Sequence, residues 1–145
     1  MVYATNPKAH FDYQILETME AGIVLRGQEV KAIKTGKASI KGAYVKMIGR
    51  ELYLIGGLVS PYQANNASPD YDPQRNRKLL IKKKDLAYIE AKSKESGITL
   101  VPVKIYDKKG LIKLEIGLAR GKKKYDKRET IKKRDIERET RRKLK

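Results

Sequence analysis

The last 24 residues, 122–145, constrain the fold of this chain most, because they cannot contribute to a hydrophobic core. They contain 13 Lys or Arg and only 5 Asp or Glu, and their aliphatic residues larger than Ala are Ile131, Ile136 and Leu144. Such a segment buries too little apolar surface to offset the conformational entropy that ordering removes. We therefore predict a compact body, residues 1–121, and a basic tail that is disordered alone and helical when bound.

Positive charge is not confined to the tail. The whole chain has a formal net charge of +17, and the body contributes +9 of it through 21 basic and 12 acidic residues. An excess of cations in both parts indicates a polyanionic partner. Nucleic acid is the first candidate, and an anionic membrane surface is the alternative.

The absence of cysteine excludes a disulfide scaffold and any thiolate metal site. Residues 1–8 hold no apolar run of the kind found in signal peptides. No stretch approaches the roughly 20 apolar residues that a membrane span requires. We therefore expect a cytoplasmic protein that does not enter a membrane.

Apolar residues recur in short stretches that predict antiparallel strands. We predict a bulge near Ala21 and Gly22 and a hairpin turn at Gly49–Arg50, and Pro102 indicates an edge or bulge position. Prolines and many Asn and Asp residues predict a long loop over residues 60–77. The predicted strands span residues 13–25, 40–48, 51–55, 79–81, 98–106 and 111–118.

Two short helices are also predicted. Residues 28–34 form an amphipathic helix that Gly36 ends in the left-handed conformation, and Asp85 caps a second helix running towards Gly97. Together with about five or six antiparallel strands, these elements favour a mainly β fold, a small closed barrel of the oligonucleotide-binding type.

No motif indicates catalysis or a cofactor. Residues 117–123 resemble a phosphate-binding loop, but they have three residues between the glycines instead of four and no Ser or Thr after the Lys. We expect Gly121 to be a pivot between the last strand and the tail. His10 is the only histidine, which is too few for a catalytic relay or a histidine metal site, and we expect it on the surface. Asp70 and Asp72 favour turn formation over cation binding.

Two regions of the body are candidates for nucleic-acid contact. Glu20 and Glu29 are expected on a solvated surface, where a carboxylate can also accept a hydrogen bond from the exocyclic amine of a base. The basic residues Arg75, Arg77 and Lys78 can neutralise phosphate.

Tyrosines near these basic residues can stack on unpaired bases. The alternative is a solvated basic face with its tyrosines packed in the core. The net charge favours RNA binding by this region. The neighbouring residues are Lys82, Lys83, Lys84, Tyr62, Tyr71 and Tyr88.

The tail contains charge pairs at helical spacing. Each pair places a glutamate four residues before a cation, which stabilises a helix by only about 0.2–0.5 kcal/mol. This arrangement favours a helix that forms on binding, because isolated helices of this length are marginal in water. A solubilising tail is the alternative. The pairs are Glu129 with Lys133, Glu137 with Arg141, and Glu139 with Lys143.

Several short segments, in order along the chain, carry a likeness to one known family. They are residues 6–13, 20–23, 27–31, 36–37, 72–80, 99–102, 104–106 and 121–128. On these segments the chain resembles the small protein B family, the SsrA (tmRNA)-binding proteins of bacterial ribosome rescue. It departs from the family at Phe11, where His is usual, at Ala32, where Ser is common, and in the loop at residues 68–73.

The resemblance implies an oblong antiparallel β-barrel of OB-fold character with short flanking helices. It implies an adaptor that binds the tRNA-like domain of tmRNA and delivers it to stalled ribosomes for trans-translation. The RNA-facing positions of the family fall on Glu20, Leu80 and Lys113. Its positions at the ribosomal decoding centre fall on Gly121, Lys122, Lys123, Tyr125, Asp126, Lys127 and Arg128.

The same resemblance implies that the tail lies as a helix along the empty mRNA channel, in contact with 16S rRNA. Elongation factor Tu with alanyl-tmRNA is a further candidate partner, and a monomer is expected. One alternative is a structural or assembly ribosomal protein with a basic rRNA-binding extension. Another is an RNA-processing enzyme such as a nuclease, but the acids are too scattered to indicate a catalytic cluster, so we expect no enzymatic activity.

Overall fold

The computed structural model describes residues 1–63 and 69–121, which contain nine strands and three helices. The predicted tail, residues 122–145, lies outside the described residues. The elements are β1 (Val2–Thr5), α1 (Pro7–Asp12), β2 (Tyr13–Ile23), α2 (Gly27–Lys34), β3 (Ala38–Ser39), β4 (Tyr44–Ile48), β5 (Glu51–Ile55), β6 (Leu58–Val59), β7 (Arg77–Leu80), α3 (Lys83–Lys92), β8 (Ile98–Lys108) and β9 (Leu111–Gly121).

Seven strands form one antiparallel sheet in the order β1-β8-β9-β2-β7-β5-β4, and β3 pairs with β6 in a small second sheet. The large sheet curls so that β4 approaches β8. The predicted mainly β class with short helices is therefore confirmed. One face of the curled sheet encloses the core. The other carries polar residues that alternate with the core residues, except where α1 packs on it over a second apolar cluster of Ala9, Val101, Val103 and Ala119.

The core is built from the inward-facing residues of the long strands. Leu114 and Ile116 of β9 and Leu52 of β5 are almost fully buried. The helices close the core, with Ile33 of α2 and Ile89 of α3 inserted into it. Burying an aliphatic side chain of this size stabilises a fold by about 1.5–3 kcal/mol, so these positions dominate its stability.

The hairpin of β8 and β9 forms the longest ladder. Its turn consists of Lys109 (φ 51°) and Gly110 (φ 82°), the positive φ pair that matches the twist of a two-residue hairpin. The register shifts between Pro102 and Lys104, which confirms the bulge predicted at Pro102. Because proline has no backbone N–H to donate, the ladder is interrupted there at little cost.

The predicted C-terminal end of α2 and the predicted turn of the first hairpin are confirmed. Gly36 follows α2 with φ 82°, the left-handed conformation that glycine adopts without steric cost. Gly49 and Arg50 join β4 to β5. Strand β4 begins at Tyr44, not at Ile40, which instead lies buried before it.

Two sequence-based expectations about local features are wrong. The bulge of β2 lies between Ile15 and Glu17, whereas Ala21 and Gly22 pair in register with β9. Helix α3 begins at Lys83, so Asp85 lies within its first turn and does not cap it. A carboxylate in that turn still interacts favourably with the helix dipole.

The predicted number of strands and helices was also too low, because the N-terminal segment forms a strand and a helix of its own. Strand β1 pairs with β8, and helix α1 follows it with Pro7 at its start. The side chain of Asn6 donates a hydrogen bond to the carbonyl of Pro102 (3.0 Å), which holds this segment to the sheet. His10 lies exposed on α1, as expected.

Candidate nucleic-acid interface

The strand register brings the three family-implied positions of the body together. Lys113 of β9 pairs with Gly22 of β2, and Gly22 pairs with Leu80 of β7. Residues paired across antiparallel strands point to the same face of the sheet, and so do residues two apart on one strand. Glu20, two residues before Gly22, therefore shares the outer face with Leu80 and Lys113. The fact that these residues lie together does not test whether they contact RNA, so that role stays a prediction.

The carboxylate of Glu20 is held by two donors from β8. The hydroxyl of Tyr106 donates to Oε2 (2.5 Å), and Nζ of Lys108 lies 3.2 Å from Oε2 and 3.4 Å from Oε1. The hydrogen bond from Tyr106 lowers the pKa of Glu20 more than partial desolvation raises it, and Lys108 lowers it further. Glu20 is thus an ionised hydrogen-bond acceptor at neutral pH.

Tyr106 also has a cation beside its ring. Nζ of Lys104 lies 5.3 Å from the ring centroid and 3.8 Å from the carboxylate of Glu115. Desolvation and the hydrogen bond to Glu20 raise the pKa of the Tyr106 hydroxyl, so it remains a donor at all physiological pH values. Tyr106 was not singled out from the sequence. The signal was available, because counting back from the turn at Lys109–Gly110 pairs Tyr106 with Lys113.

Leu80 and Gly22 give this surface an apolar groove. Leu80 is 55% exposed, which is unusual for a leucine at the centre of a sheet. Since Gly22 has no side chain, a shallow groove remains between Leu80, Leu111 and Lys113. An apolar groove flanked by a carboxylate and a lysine can contact the face of a base or ribose while the polar groups bind its edge and its phosphate.

Glu29, in contrast, is buried, so its predicted place on a solvated surface is wrong. It is 1% exposed, and its carboxylate accepts hydrogen bonds from the backbone N–H of Arg26 (2.8 Å) and from Nε of Arg77 (2.8 Å). Arg75 donates to the same carboxylate. Burial raises the pKa of Glu29, but the hydrogen bonds from Arg75, from the backbone of Arg26 and from Arg77 outweigh it and hold that pKa below its ordinary value.

Arg77 is an interior residue, which corrects its assignment to an RNA-contacting surface. It is 1% exposed, and besides Glu29 it donates to the carbonyls of Gly57 (2.9 Å) and Pro73 (3.0 Å). Its guanidinium is enclosed by protein and has no face open to a phosphate. The sequence alone does not separate this arginine from Arg75 in the same basic run. The pairing of β7 with β2 and β5 turns Arg77 inward and Lys78 outward, and Arg75 lies before that strand.

The other two members of the basic group differ from Arg77. The side chain of Arg75 is 23% exposed and is turned towards Glu29, whereas the side chain of Lys78 is 43% exposed. Lys78 forms a surface ion pair with Glu51 at 2.9 Å. Phosphate contact by Arg75 and Lys78 stays a prediction.

Tyr71 and Tyr62 anchor the long loop. The hydroxyl of Tyr71 donates to the carbonyl of Val59 (2.7 Å), and Nζ of Lys37 donates to the carbonyl of Tyr62 (2.8 Å). The carboxylate of Asp72 accepts from the backbone N–H of Gln74 (2.9 Å), which is the turn chemistry expected of it. These contacts support the interpretation in which tyrosines of this loop pack against the body.

The last described residue, Gly121, ends β9 and pairs with Tyr13 of β2. The residues predicted at the decoding centre beyond it lie outside the described residues. In residues 1–63 and 69–121, no three His, Cys, Asp or Glu side chains are grouped so as to hold a metal ion. Within those same ranges, no helix has the length and apolar character needed to cross a bilayer.

Comparison with known proteins gives consistent matches. Residues 3–145 match the sequence model of the family described as SmpB protein. The SsrA-binding protein of Streptococcus pyogenes serotype M3 is 44% identical over 144 residues, which cover 99% of this chain and 92% of the relative. The SsrA-binding protein of Thermosipho africanus is 49% identical over 138 residues, covering 94% and 92%. That of Geobacillus kaustophilus is 46% identical over 138 residues, covering 95% and 88%.

A solved structure agrees with these sequence matches. It is described as "tmRNA-SmpB: a journey to the center of the bacterial ribosome" and superposes with a TM-score of 0.67 at 44% identity. The match covers 83% of this chain and 84% of that chain. Fold and sequence therefore agree over most of the chain, which belongs to the SmpB family of SsrA-binding proteins.

Proposed function

We propose that this protein is the adaptor that binds the tRNA-like domain of tmRNA and delivers it to stalled ribosomes for trans-translation. The observation that carries the proposal is the outer face of the sheet, where Glu20, Leu80 and Lys113 lie side by side in a chain of this family. A cation, an ionised acceptor and an apolar groove on one rigid surface suit recognition of a folded RNA. Family membership favours the adaptor over a structural ribosomal protein.

The two parts of the chain divide the task. The body, residues 1–121, binds tmRNA. The tail, residues 122–145, contacts the decoding centre and the empty mRNA channel of the ribosome. The tail carries 13 of the 34 Lys and Arg residues, so it can displace many counterions from rRNA. Its junction residues Gly121–Lys123 and Tyr125–Arg128 make the decoding-centre contacts in this proposal.

The proposed role needs no catalysis by the protein and places it in the cytoplasm with the ribosome. A lone histidine leaves no pair for acid–base chemistry. The ionised acids Glu20 and Glu29 are engaged by protein donors, which suits positioning and stability better than proton transfer.

The test measures binding of the full chain to transcribed tmRNA, with an RNA of equal length and scrambled sequence as competitor. Glu20→Ala should weaken binding to tmRNA and reduce the preference over the competitor. Lys113→Ala should weaken binding and lower the salt slope by about 0.7–0.9 log units per log of salt, the value for one lost phosphate contact. Glu90→Ala and Lys94→Ala, on the exposed side of α3 and just after it, are the matched controls.

Two outcomes contradict the proposal. Equal affinity of the wild-type chain for tmRNA and the scrambled RNA removes the specificity that an adaptor requires. Loss of tmRNA binding on deletion of residues 122–145, to the same extent as loss of rescue in a translation extract, contradicts the division of labour between body and tail.

A further inference from the structure

The outer face does not end at Leu80. Lys78, two residues before Leu80 on β7, pairs with Tyr53 of β5, and Tyr53 pairs with Lys46 of β4. The register therefore extends one continuous face from β8 to β4. We name the part on β4, β5 and β7 the tyrosine face; it consists of Tyr44, Lys46, Tyr53 and Lys78.

Aromatic and apolar side chains of this face are open to solvent. Tyr44 is 49% exposed, and Ile48, also on the outer face of β4, is 47% exposed. Tyr53 is half-buried between Lys46 and Lys78. Exposed aromatic side chains on a rigid sheet, with lysines between them, have the composition of a surface that stacks unpaired bases.

Glu51 orders the centre of the tyrosine face. It accepts a hydrogen bond from the hydroxyl of Tyr53 (2.8 Å) and one from Nζ of Lys78 (2.9 Å). These contacts lower the pKa of Glu51, and the same interactions raise those of Tyr53 and Lys78, so all three keep their ordinary charge states at neutral pH. The arrangement repeats that of Tyr106, Glu20 and Lys108 at the other end of the face.

We propose that the tyrosine face binds an unpaired stretch of the same RNA that the body grips, with bases on Tyr44 and Tyr53 and phosphates at Lys46 and Lys78. The inference rests on the proposed function and extends its RNA-binding surface along β7 and across two further strands, β5 and β4. RNA is favoured over an acidic peptide for two reasons. The face is continuous with the groove at Leu80, and lysines flank Tyr53 on both sides, so a strand that alternates flat bases with phosphates can contact rings and cations together.

The test uses the full chain and fluorescently labelled tmRNA transcript. The double variant Tyr44→Leu/Tyr53→Leu keeps apolar bulk but removes the rings, and it should bind at least about fivefold more weakly for each base that stacks. Its salt slope should be unchanged, because stacking neutralises no phosphate. Lys46→Ala/Lys78→Ala should instead lower the salt slope by about two phosphate contacts, or about 1.4–1.8 log units per log of salt.

The matched control is Tyr3→Leu. Tyr3 lies on β1 at the opposite edge of the large sheet from β4, is partly buried like Tyr53 and packs against the core. Its loss should leave tmRNA affinity unchanged. Circular dichroism and urea midpoints check folding, and Tyr44→Leu alone keeps the test valid if the half-buried Tyr53 proves necessary for folding.

The outcomes separate this inference from the proposed function. Weaker binding by Glu20→Ala together with wild-type binding by the tyrosine and lysine variants overturns the tyrosine face and leaves the adaptor role standing. Unchanged binding by Glu20→Ala, Lys113→Ala and all of these variants overturns both. Wild-type binding to tmRNA with loss of a protein partner from pelleted ribosomes would assign the face to protein docking and overturn the inference.

Discussion

Two glutamates in this molecule, Glu20 and Glu29, each accept hydrogen bonds from several protein groups, but one lies at the surface and the other in the interior. The side chain of Glu29 has no exposed surface, and arginines and a backbone N–H surround its carboxylate. The side chain of Glu20 is 34% exposed, with a tyrosine and a lysine beside its carboxylate. Only groups of the protein itself can reach the carboxylate of Glu29, whereas the side chain of Glu20 also has exposed surface that a donor from another molecule can reach.

The difference shows how burial separates stability from recognition. A buried charge is tolerated only when its lone pairs are satisfied, and its loss then leaves a cation stranded in the interior. An exposed charge contributes little to stability, because water replaces its partners. We therefore expect Glu29 to control whether the chain folds and Glu20 to control what the folded chain binds.

The largest expected effect comes from Glu29→Gln, which leaves the buried guanidinium of Arg77 without its counterion. Breaking a buried pair in this way should lower the free energy of unfolding by about 3–5 kcal/mol. Urea denaturation followed by circular dichroism measures it. Glu20→Gln is the control and should leave the urea midpoint close to that of the wild type. Equal midpoints for the two variants would refute the assignment of the stabilising role to Glu29.

Lowering the pH should reduce the difference in free energy of unfolding between the wild type and Glu29→Gln. The pKa of Glu29 lies below its ordinary value of 4.5 in the folded protein, so its contribution is fully present above pH 4.5. The contribution is lost as the pH falls through the folded-state pKa, because protonation then favours the unfolded chain. Urea midpoints between pH 7 and pH 3 should converge for the two proteins. A constant difference over that range contradicts the lowered pKa.

The smallest expected effect sharpens the Glu20 side of the comparison. Tyr106→Phe keeps the ring but removes the donor to Glu20, so the carboxylate is held less firmly for an RNA donor. We expect tmRNA affinity to fall about two- to tenfold, the equivalent of one net hydrogen bond, with little change in stability. Isothermal titration calorimetry measures the affinity.

Tyr53→Phe provides the matched control for Tyr106→Phe. It removes a tyrosine–glutamate hydrogen bond of the same type on the same sheet and retains a ring that can stack. Its affinity for tmRNA should match that of the wild type, because the stacking ring remains, Glu51 is assigned no RNA contact, and Lys78 still donates to Glu51. If both variants lose the same affinity, the effect is general to the face and Tyr106 has no special role in positioning Glu20.

Much of the fold was predictable because local patterns and local structure agree. Gly36 ends α2, Gly49 turns the first hairpin, and Pro102 marks a bulge, each for a reason that acts within a few residues. Strand β1 and helix α1 were missed because their stability comes from distant partners. Asn6, for example, is held by Pro102, which is 96 residues away in sequence.

The candidate site also combines features that could be predicted with features that depend on contacts distant in sequence. Leu80 and Lys113 were placed by resemblance, but their proximity to Glu20 depends on the pairing of three strands that are distant in sequence. Glu29 and Arg77 were misjudged because a lone glutamate and a run of basic residues are usually solvated. Their pairing spans 48 residues and leaves no periodic signal that a single sequence could reveal.

The anchoring of the long loop has a practical consequence for spectroscopy. Lys37 donates a hydrogen bond to the carbonyl of Tyr62, and Arg77 donates one to the carbonyl of Pro73, so both flanks of the loop are bound to the body. Gln63 and Pro69 are exposed and take no part in those two hydrogen bonds, so a cysteine substitution at either position would leave both in place. The chain has no cysteine, so a single thiol placed there would be a unique attachment point for a dye that reports on the adaptor's passage through the ribosome.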